Sequence, residues 1–406
     1  MTRRPTRRSP ANEGERQEAS LRVCAVGLRG LPGVMGGIEA HCEALYPRMI
    51  EQCRELEIVV LGRKPYLPGG PRLFRGIRIV PIWAWRNRAV EVVLHTLLGI
   101  LHARFIAKAD MVHIHSIGPG LLCPLARLLG MRVLFTYHGV NYHHDRWGPV
   151  AKAVLRLGER LSIAFADRVI VVGESLSRDL KARFPRRANS IVFVPNGMPD
   201  RSAGASGAPK DPVPSGAAVL KTFGLAAGDY ILAVGRLVPE KGFQDLIAAY
   251  KAADLTRKLV IVGGADHEDR FCRELRAQAS DSIVFTGFQS GAALDAIRGN
   301  AAVFVLPSHY EGMPMAALEA IGADLPVLLS DIAPNLDLGL PGDCYFPVGN
   351  IDALASRLRS SDFDACRCAS RDVVAKYDWQ TIAQTTAALC WEVAGGDGVV
   401  QSRRSS

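Results

Sequence analysis

The sequence predicts an α/β protein of two Rossmann-like domains that face each other across a cleft. At 406 residues, the chain is long enough for two domains that each bury a core. Short apolar runs alternate with helical stretches in both halves, a pattern typical of parallel sheets with helices on both faces. Residues 200–218, rich in small residues and proline, predict a linker or a long surface loop between the halves.

This pattern divides the chain into six segments. They are a disordered basic tail at 1–20, an N-terminal Rossmann-like domain at 21–199, the linker or surface loop at 200–218, a C-terminal Rossmann-like domain at 219–376, a C-terminal helix at 377–393 and a tail at 394–406. Whether the C-terminal helix crosses back to the first domain is left open.

Each element is assigned from an apolar run or from helical composition. After a first strand at 22–27, the first domain has predicted strands at 57–62, 77–82, 111–116, 132–138, 168–172 and 191–194, and helices from the glycine-rich loop to about 54 and at 90–107, 120–129, 150–165 and 175–184. The second has predicted strands at 230–234, 259–263, 283–286, 302–306 and 327–330, separated by helices, for a total of five or six strands.

Composition excludes several classes of protein. The net charge of +9 is modest, and no zinc-finger, RRM-like or helix-turn-helix signature points to nucleic acid. The nine cysteines are scattered without a CxxC pair, which favours reduced thiols in the cytosol. No signal peptide precedes the first strand, and Cys366 and Cys368 have the wrong spacing for zinc.

The longest apolar run, 89–101, is too short to span a bilayer. Its flanks are those of an interfacial helix, with Trp83 and Trp85 before it and Arg104 and Lys108 after it. A helix packed on its own sheet with solvated basic ends has the same sequence, so both interpretations remain open.

The stretch 307–320 carries the strongest chemical signal. It follows a buried strand, and Glu311-Gly312 turns the chain into a helix that contains Glu319. In an open α/β sheet this loop lies where ligands bind, and the helix start offers free N–H groups to an anion. Two carboxylates for hydroxyls beside an anion site suggest a sugar nucleotide.

A second strand-to-helix loop supplies cations. Arg236 and Lys241 lie in the loop that follows the first strand of the second domain. Arginine binds two phosphate oxygens at once, and lysine adds a mobile charge. Together they suit a departing diphosphate, whereas a pair of solvated loop cations is the alternative.

The first domain opens with a glycine-rich loop that includes Gly36 and Gly37. Its spacing matches neither Walker A nor GxGxxG, so a plain tight turn is an equal alternative to a phosphate loop. His113 and His115 fall on one face of a strand, near His138, which makes a metal site conceivable. No Ser/His/Asp order or nucleophile elbow is present in the sequence.

The combined motifs resemble the retaining family 4 glycosyltransferases of the GT-B fold. They are Gly-Arg-x3-Glu-Lys-Gly at 235–242 and Glu311-x7-Glu319 within Pro-Ser-x3-Glu-Gly-x-Pro. Closer likeness to a bacterial rhamnosyltransferase-like subgroup, which builds surface polysaccharide, lies in Gly-Leu-Arg-Gly-Leu-Pro-x3-Gly-Gly-Ile-Glu, His113-Ile-His-Ser-Ile-Gly-Pro and Tyr137-His-Gly-x5-Asp-Arg-Trp147-Gly. The resemblance covers about residues 21–393.

This resemblance implies a role for each matching residue. Glu319 binds the ribose of the donor, while Glu311 binds hydroxyls of the transferred sugar, helped by the amides of Gly312 and Met313. Arg236 and Lys241 bind the diphosphate, in agreement with their residue chemistry. The loop amides at Gly36 and Gly37 face phosphate or acceptor, and His138 lies beside the donor sugar. Those with implied catalytic roles are Glu311, His138, Arg236 and Lys241.

Two positions depart from the family pattern. Asp324 stands where the family has glycine, and aspartate tolerates the left-handed backbone that the turn needs. The tryptophan expected after His-Gly is replaced within residues 141–144, which puts the choice of acceptor in question. Asp145, Arg146 and Trp147 either shape the acceptor pocket or anchor a loop.

The sequence therefore predicts a cytoplasmic hexosyltransferase of bacterial surface polysaccharide synthesis. Its expected partners are a nucleotide-diphosphate sugar and a saccharide or lipid-linked saccharide acceptor, without nucleic acid. Contact with the inner-membrane surface is left open. No cofactor or metal is expected, because the resemblance implies basic side chains and helix dipoles in that role. The rivals are a GT-B sugar-nucleotide epimerase or phosphorylase, and a non-catalytic sugar-nucleotide-binding module.

Overall fold

The structure, a computed structural model, contains two parallel sheets covered by helices. It describes residues 20–34, 36–85, 91–139, 148–198, 215–265, 268–360, 362–367 and 371–395. Each half of the chain forms one Rossmann-like domain, so the predicted fold class is confirmed. Residues 1–19 of the predicted basic tail at 1–20, most of the linker, residues 141–147 and most of the predicted C-terminal tail at 394–406 lie outside the described residues.

The first domain contains an eight-stranded sheet in the order β3-β4-β2-β1-β5-β6-β7-β8. Its strands are β1 Leu21–Val26, β2 Leu56–Arg63, β3 Arg72–Phe74, β4 Ile77–Ile82, β5 Met111–His115, β6 Arg132–Tyr137, β7 Arg168–Val171 and β8 Ile191–Phe193. Its helices are α1 Gly37–Gln52, α2 Glu91–Phe105, α3 Ile117–Gly120, α4 Cys123–Leu128, α5 Pro149–Phe165 and α6 Glu174–Arg183. All neighbouring strands are parallel except the edge pair β3–β4.

The second domain contains a six-stranded parallel sheet in the order β11-β10-β9-β12-β13-β14. Its strands are β9 Tyr230–Val234, β10 Lys258–Val262, β11 Ile283–Gly287, β12 Val303–Leu306, β13 Val327–Ser330 and β14 Tyr345–Phe346. Its helices are α7 Gly216–Thr222, α8 Phe243–Ala253, α9 Arg270–Arg276, α10 Gly291–Gly299, α11 Met315–Gly322, α12 Ala333–Leu336, α13 Ile351–Leu358 and α14 Arg371–Lys376, and the last helix of the chain is α15 Trp379–Ala394.

The central strands read as continuous apolar runs because helices cover both faces of each sheet. Every residue of β5, β12 and β13 is buried. In β5 that includes His113 and His115, which have no exposed surface. Buried polar side chains usually have hydrogen-bond partners, and the partners of these two histidines are described below with the site.

Helix α15 crosses back to the first domain. Its residues Trp379, Ile382 and Val393 share a core with α1 and with β1, β2 and β4. The backbone enters this crossing beside Met198, whose N–H donates to the carbonyl oxygen of Tyr377 at 2.7 Å. The end of the second domain is therefore built into the first.

Four local differences from the predicted elements have physical causes. The helix expected at 120–129 is two short helices, α3 and α4, with the start of the second formed by Cys123-Pro124. Strands β3 and β14 were not predicted, because both are edge strands of at most three residues. Residues 216–218, assigned to the linker, form the first turn of α7, capped by Ser215. Asp324 has a φ of 62°, which confirms the expected left-handed backbone.

The two domains meet at the carboxyl ends of their strands. Gly139 follows β6, and a Cβ placed on it would lie 3.2 Å from the Cα of Gly312, which follows β12. A second contact joins α6 to α12, where the Oδ2 atom of Asp337 accepts hydrogen bonds from the N–H and hydroxyl of Ser175 at 2.7 and 2.6 Å. Among the described residues, no helix has the length and apolar character needed to cross a bilayer.

Candidate functional site

Glu311 and Lys241 form an ion pair at the carboxyl ends of β12 and β9. The Lys241 Nζ lies 2.5 Å from the Oε1 of Glu311, and both side chains are mostly buried. The two loops are held together because the N–H of His309 donates to the carbonyl oxygen of Glu240 at 2.9 Å. Gly242 permits this approach: a Cβ there would lie 2.1 Å from the carbonyl oxygen of Pro307.

A row of buried side chains fixes the Glu311 carboxylate. Ser308 donates its hydroxyl to the same Oε1 at 2.7 Å, and Ser330 donates to the carbonyl oxygen of Ser308 at 2.6 Å. The Nδ2 of Asn335 in turn donates to the carbonyl oxygen of Ser330 at 2.8 Å. Oε2 of Glu311 has no hydrogen-bond partner among the described residues, so it is available to a ligand hydroxyl.

Glu319 is held by an ion pair with Arg298, which lies in the last turn of α10. The Arg298 guanidinium donates to Oε2 of Glu319 at 2.7 Å, while Oε1 has no partner in the described part of the chain. Burial raises the pKa of the Glu319 carboxyl, against the opposing effect of Arg298. Each acid of the motif thus holds one oxygen within the protein and leaves the other for a ligand.

The start of α11 lies between these two acids along the chain. Of the loop amides, those of Gly312 and Met313 make no hydrogen bond within the described residues. Free N–H groups at a helix start can donate hydrogen bonds to an anion or to a sugar hydroxyl. These two amides are therefore able to take the role predicted for them. Arg236 lies in the Lys241 loop and is half-buried.

In the first domain, carboxylates of α1 hold the glycine-rich loop. Glu39 accepts a hydrogen bond from the N–H of Arg29, and Glu43 accepts one from the N–H of Gly33, both at 2.9 Å. Gly36, at a φ of 151°, is packed so tightly that a Cβ would lie 1.9 Å from Glu39. Gly37 begins α1, so the amides of Gly36 and Gly37 stand at a helix start.

His138 directly follows β6, and its backbone contacts the loop of the second domain that carries Glu311. A Cβ on Gly312 would lie 1.8 Å from the carbonyl oxygen of His138. Its imidazole is half-buried, and its Nε2 lies 3.0 Å from the Nδ1 of His115. Burial lowers the pKa of His138 well below its usual value, so the ring is neutral at pH 7.

The expected grouping of His113, His115 and His138 is only partly what the structure contains. Nitrogen atoms of His41, His115 and His138 lie within 4.8 Å of one another, which is compatible with the spacing of metal ligands. His113 instead bonds to Thr136 and Tyr46. The ring centroids of His115 and His138 are 5.3 Å apart, whereas the Nδ1 of His115 and the Nε2 of His138 are 3.0 Å apart. The difference equals about one diameter of an imidazole ring. Both nitrogens therefore lie near the line between the rings, as in a linear hydrogen bond.

Sequence reasoning missed several side chains of this site. Arg298 and His41 belong to no quoted motif, and only the fold brings them to Glu319 and His138. Ser308 lies inside the Pro-Ser-x3-Glu-Gly motif, so its position next to Glu311 was a usable signal. Tyr46 had none, because a tyrosine within an amphipathic helix usually packs in the core.

Two family profiles match the two domains. The one described as Glycosyltransferase Family 4 matches residues 35–201, and the one described as Glycosyl transferases group 1 matches residues 226–361. The GDP-mannose-dependent alpha-(1-6)-phosphatidylinositol monomannoside mannosyltransferase of Mycobacterium tuberculosis is 31% identical over 314 residues, 70% of this chain and 77% of that protein. The GDP-mannose:cellobiosyl-diphosphopolyprenol alpha-mannosyltransferase of Xanthomonas campestris is 27% identical over 372 residues, 86% of this chain and 91% of the relative.

Solved structures share the fold over nearly the whole chain. Sucrose-phosphate synthase from Thermosynechococcus elongatus has a TM-score of 0.73 at 19% identity, covering 92% of this chain and 99% of that one. HepE from Anabaena in complex with UDP-glucose has a TM-score of 0.71 at 16% identity, covering 92% of this chain and all of that one.

Proposed function

Because this chain belongs to the family 4 glycosyltransferases and has their GT-B fold, we propose that it transfers a hexosyl or deoxyhexosyl group from a nucleotide-diphosphate sugar to a saccharide acceptor. One observation carries the proposal. Glu311 and Lys241 adjoin two amides without a hydrogen-bond partner among the described residues, at the point where the loop of the second domain touches His138.

Different groups of the site bind the ribose, the sugar and the diphosphate of the donor. Oε1 of Glu319 receives the ribose hydroxyls, and Oε2 of Glu311 receives hydroxyls of the sugar. The diphosphate binds Arg236, Lys241 and the amides of Gly312 and Met313. Preorganised charge in a water-poor cleft stabilises the leaving diphosphate most strongly, which lowers the barrier to breaking the anomeric C–O bond.

Transfer proceeds with retention of the anomeric configuration. The acceptor hydroxyl attacks the anomeric carbon from the face that the diphosphate leaves, and the leaving phosphate oxygen takes its proton. Support comes from the arrangement of groups: the carboxylate beside the sugar already accepts from Lys241 and Ser308, so Glu311 is better placed to bind hydroxyls than to attack carbon.

The acceptor is a lipid-linked saccharide of bacterial surface polysaccharide synthesis, as in the rhamnosyltransferase-like subgroup. The names of the two mannosyltransferase relatives specify a phosphatidylinositol mannoside and a diphosphopolyprenol-linked saccharide. Both contain a lipid, which agrees with an acceptor at the cytoplasmic face of the inner membrane. The name of another relative, the glycogen synthase of Mycobacterium tuberculosis, contains no lipid.

Two exposed surfaces of the first domain support the proposal of peripheral contact with the membrane. Trp83 and Trp85, and Phe105 and Ile106 at the end of α2, leave more than half of their surface exposed. Apolar side chains at a membrane surface gain from burial in the headgroup region, and nearby arginine and lysine attract anionic lipids.

The second surface is one face of α5. Val150, Val154 and Leu157 are exposed at helical spacing, with the exposed Arg156 and Arg160 beside them. Replacing Val154 and Leu157 by serine should weaken sedimentation with anionic vesicles, whereas Leu73→Ser, an exposed leucine on edge strand β3, should not. Equal sedimentation of both variants would contradict membrane contact through α5.

The test of function is a donor screen followed by a transfer assay. UDP-, GDP- and dTDP-sugars are ranked by thermal shift, and the best donor is incubated with a polyprenol-diphosphate-linked saccharide. We expect release of nucleoside diphosphate together with an acceptor one sugar heavier, and NMR couplings that show retention. Sugar conversion without acceptor would indicate an epimerase, dependence on inorganic phosphate a phosphorylase, and binding without nucleotide release a non-catalytic module.

A further inference from the structure

Five side chains form a chain of hydrogen bonds that ends at His138. Thr136 Oγ1 lies 2.7 Å from His113 Nε2, and His113 Nδ1 lies 3.0 Å from the Tyr46 hydroxyl. That hydroxyl lies 2.6 Å from His115 Nε2, and His115 Nδ1 lies 3.0 Å from His138 Nε2. The first four residues have no exposed surface.

The histidines of this chain are neutral at pH 7. Burial is the main cause: it lowers the pKa of His113 to about 3 and that of His115 well below its usual value. A neutral imidazole carries one N–H donor and one acceptor nitrogen. Each residue must therefore donate in one direction and accept from the other, and a choice at one end sets the rest.

Thr136 makes that choice. Its hydroxyl has no hydrogen-bond partner other than His113 Nε2 in the described part of the chain. If His113 Nε2 carried the proton, the buried hydroxyl hydrogen of Thr136 would have no acceptor, which costs free energy. Thr136 therefore donates to His113, and the proton of His113 sits on Nδ1.

The direction then propagates to the cleft. His113 donates from Nδ1 to Tyr46, Tyr46 donates its hydroxyl hydrogen to His115 Nε2, and His115 donates from Nδ1 to His138. Cys42 Sγ lies 3.7 Å from His115 Nε2 and 4.0 Å from His115 Nδ1, so this weak thiol contact does not distinguish the two nitrogens. His138 Nε2 is an acceptor, so its own proton sits on Nδ1, which has no partner among the described residues.

We propose that Thr136, His113, Tyr46 and His115 are positioning residues that hold His138 as the Nδ1–H tautomer, so that His138 acts in the cleft as a hydrogen-bond donor to an oxygen of the donor sugar. The donor role rests on the proposed function, whereas the tautomer does not. His138 in the opposite tautomer would present a lone pair at Nδ1 and would lose this bond.

The experiment reads the tautomer directly by ¹⁵N NMR of histidine-labelled full-length protein without substrate. In the wild type we expect His138, assigned with His138→Gln, to have a protonated Nδ1 and an unprotonated Nε2. Tyr46→Phe and Thr136→Val each remove one donor of the chain, so the two His138 nitrogens should move toward the averaged shifts of mixed tautomers. Thr136→Ser keeps the hydroxyl and should restore the wild-type shifts.

Tyr137→Phe is the matched control. Tyr137 is a fully buried tyrosine beside His138, but its hydroxyl donates to Glu159 on the other face of the sheet. It should leave the His138 shifts unchanged. A wild-type His138 protonated on Nε2, or unchanged His138 shifts in both Tyr46→Phe and Thr136→Val, would overturn the proposal.

Kinetics connects the tautomer to the reaction. With the donor and acceptor found in the transfer assay, Tyr46→Phe should lower kcat about tenfold, as expected for loss of one oriented hydrogen bond, and leave the KM of the acceptor unchanged. Altered His138 shifts with an unchanged kcat would overturn the role at the donor sugar. Failure of the wild type to transfer any sugar would refute the proposed function and leave the NMR result standing.

Discussion

Gly312 of the second domain lies against the backbone of His138 in the first, so closely that a Cβ on Gly312 would sit 1.8 Å from the His138 carbonyl oxygen. Gly139 and Gly173 complete this contact: a Cβ on Gly173 would lie 2.7 Å from the carbonyl oxygen of Gly312. Three glycines thus let the loop that carries Glu311 reach between the ends of β6 and β7. This close contact between the two domains depends on the glycines' lack of side chains.

Gly312→Ala should prevent this approach and hold the domains further apart. We expect kcat to fall at least tenfold and the radius of gyration from small-angle scattering to increase, because backbone at this contact cannot yield as a flexible side chain does. Gly342→Ala, in the same domain with open space around it, is the control. Full activity of Gly312→Ala would mean that this contact is not made during turnover.

The Glu311–Lys241 pair should be needed for turnover. Glu311→Gln and Lys241→Met are each expected to lower kcat by about a hundredfold or more, because each removes charge that acts on the transition state. Steady-state kinetics with the preferred donor measures this. Glu274→Gln and Arg270→Gln remove an exposed ion pair of the same domain and should change nothing. A kcat within threefold of wild type in both site variants would refute the assignment.

A double variant separates the proposed donor-binding role of Glu319 from its ion pair with Arg298. Glu319→Ala should leave the buried Arg298 with only its 3.5 Å contact to the exposed Asp295, and we expect it to cost about 3 kcal/mol of unfolding free energy. The double variant Glu319→Gln with Arg298→Met should regain most of this stability in urea titrations.

Neither variant should recover donor binding. By calorimetry we expect the Kd of the nucleotide sugar to rise at least tenfold in both, since the ribose hydroxyls lose a carboxylate acceptor. Unchanged donor affinity in the stable double variant would show that Glu319 has only a structural role.

Buried histidines should make the protein sensitive to mild acid. Burial lowers the pKa of His41 to about 4 and of His113 to about 3, below the 6.5 of the unfolded chain. Between these values the unfolded state binds more protons, so stability falls as pH drops below about 6.5. We expect each of these two histidines to lower the free energy of unfolding by about 2 kcal/mol between pH 7 and pH 5.

Urea titrations at pH 8, 7 and 5 measure the effect. The change from pH 8 to pH 7 serves as the internal control, because these histidines are neutral in both states over most of that range. His41→Asn should lose about 2 kcal/mol less than the wild type between pH 7 and pH 5. An identical loss would contradict a depressed His41 pKa.

Asp324 should tolerate glycine better than alanine. Its φ of 62° costs any residue with a Cβ, and alanine lacks the polar side chain that eases this conformation. We expect Asp324→Ala to lower the unfolding free energy by about 1 kcal/mol and Asp324→Gly to raise it by about 0.5 kcal/mol. The neighbouring Ala323, at a φ of −82°, should respond to glycine with the opposite sign.

The two domains, most strands and the loops that carry the motif residues can be predicted from the amino-acid pattern alone. Strands such as β9 and β12 can be predicted from their apolar runs because strands buried on both faces exclude polar residues. In a parallel sheet, the order of strands also determines which loops lie at its carboxyl edge. The family resemblance added the fold that the comparisons confirm. Roles of single site residues remain predictions.

The side chains that contact those motif residues become known only from the folded chain. Arg298 reaches Glu319, and Tyr46 reaches His115, across sequence separations that carry no local periodic signal. Likewise, the packing of α15 on α1 depends on the shape of an apolar surface that two distant segments complete together. Such contacts arise from the packing of whole elements, and a residue's own neighbours along the chain do not encode them.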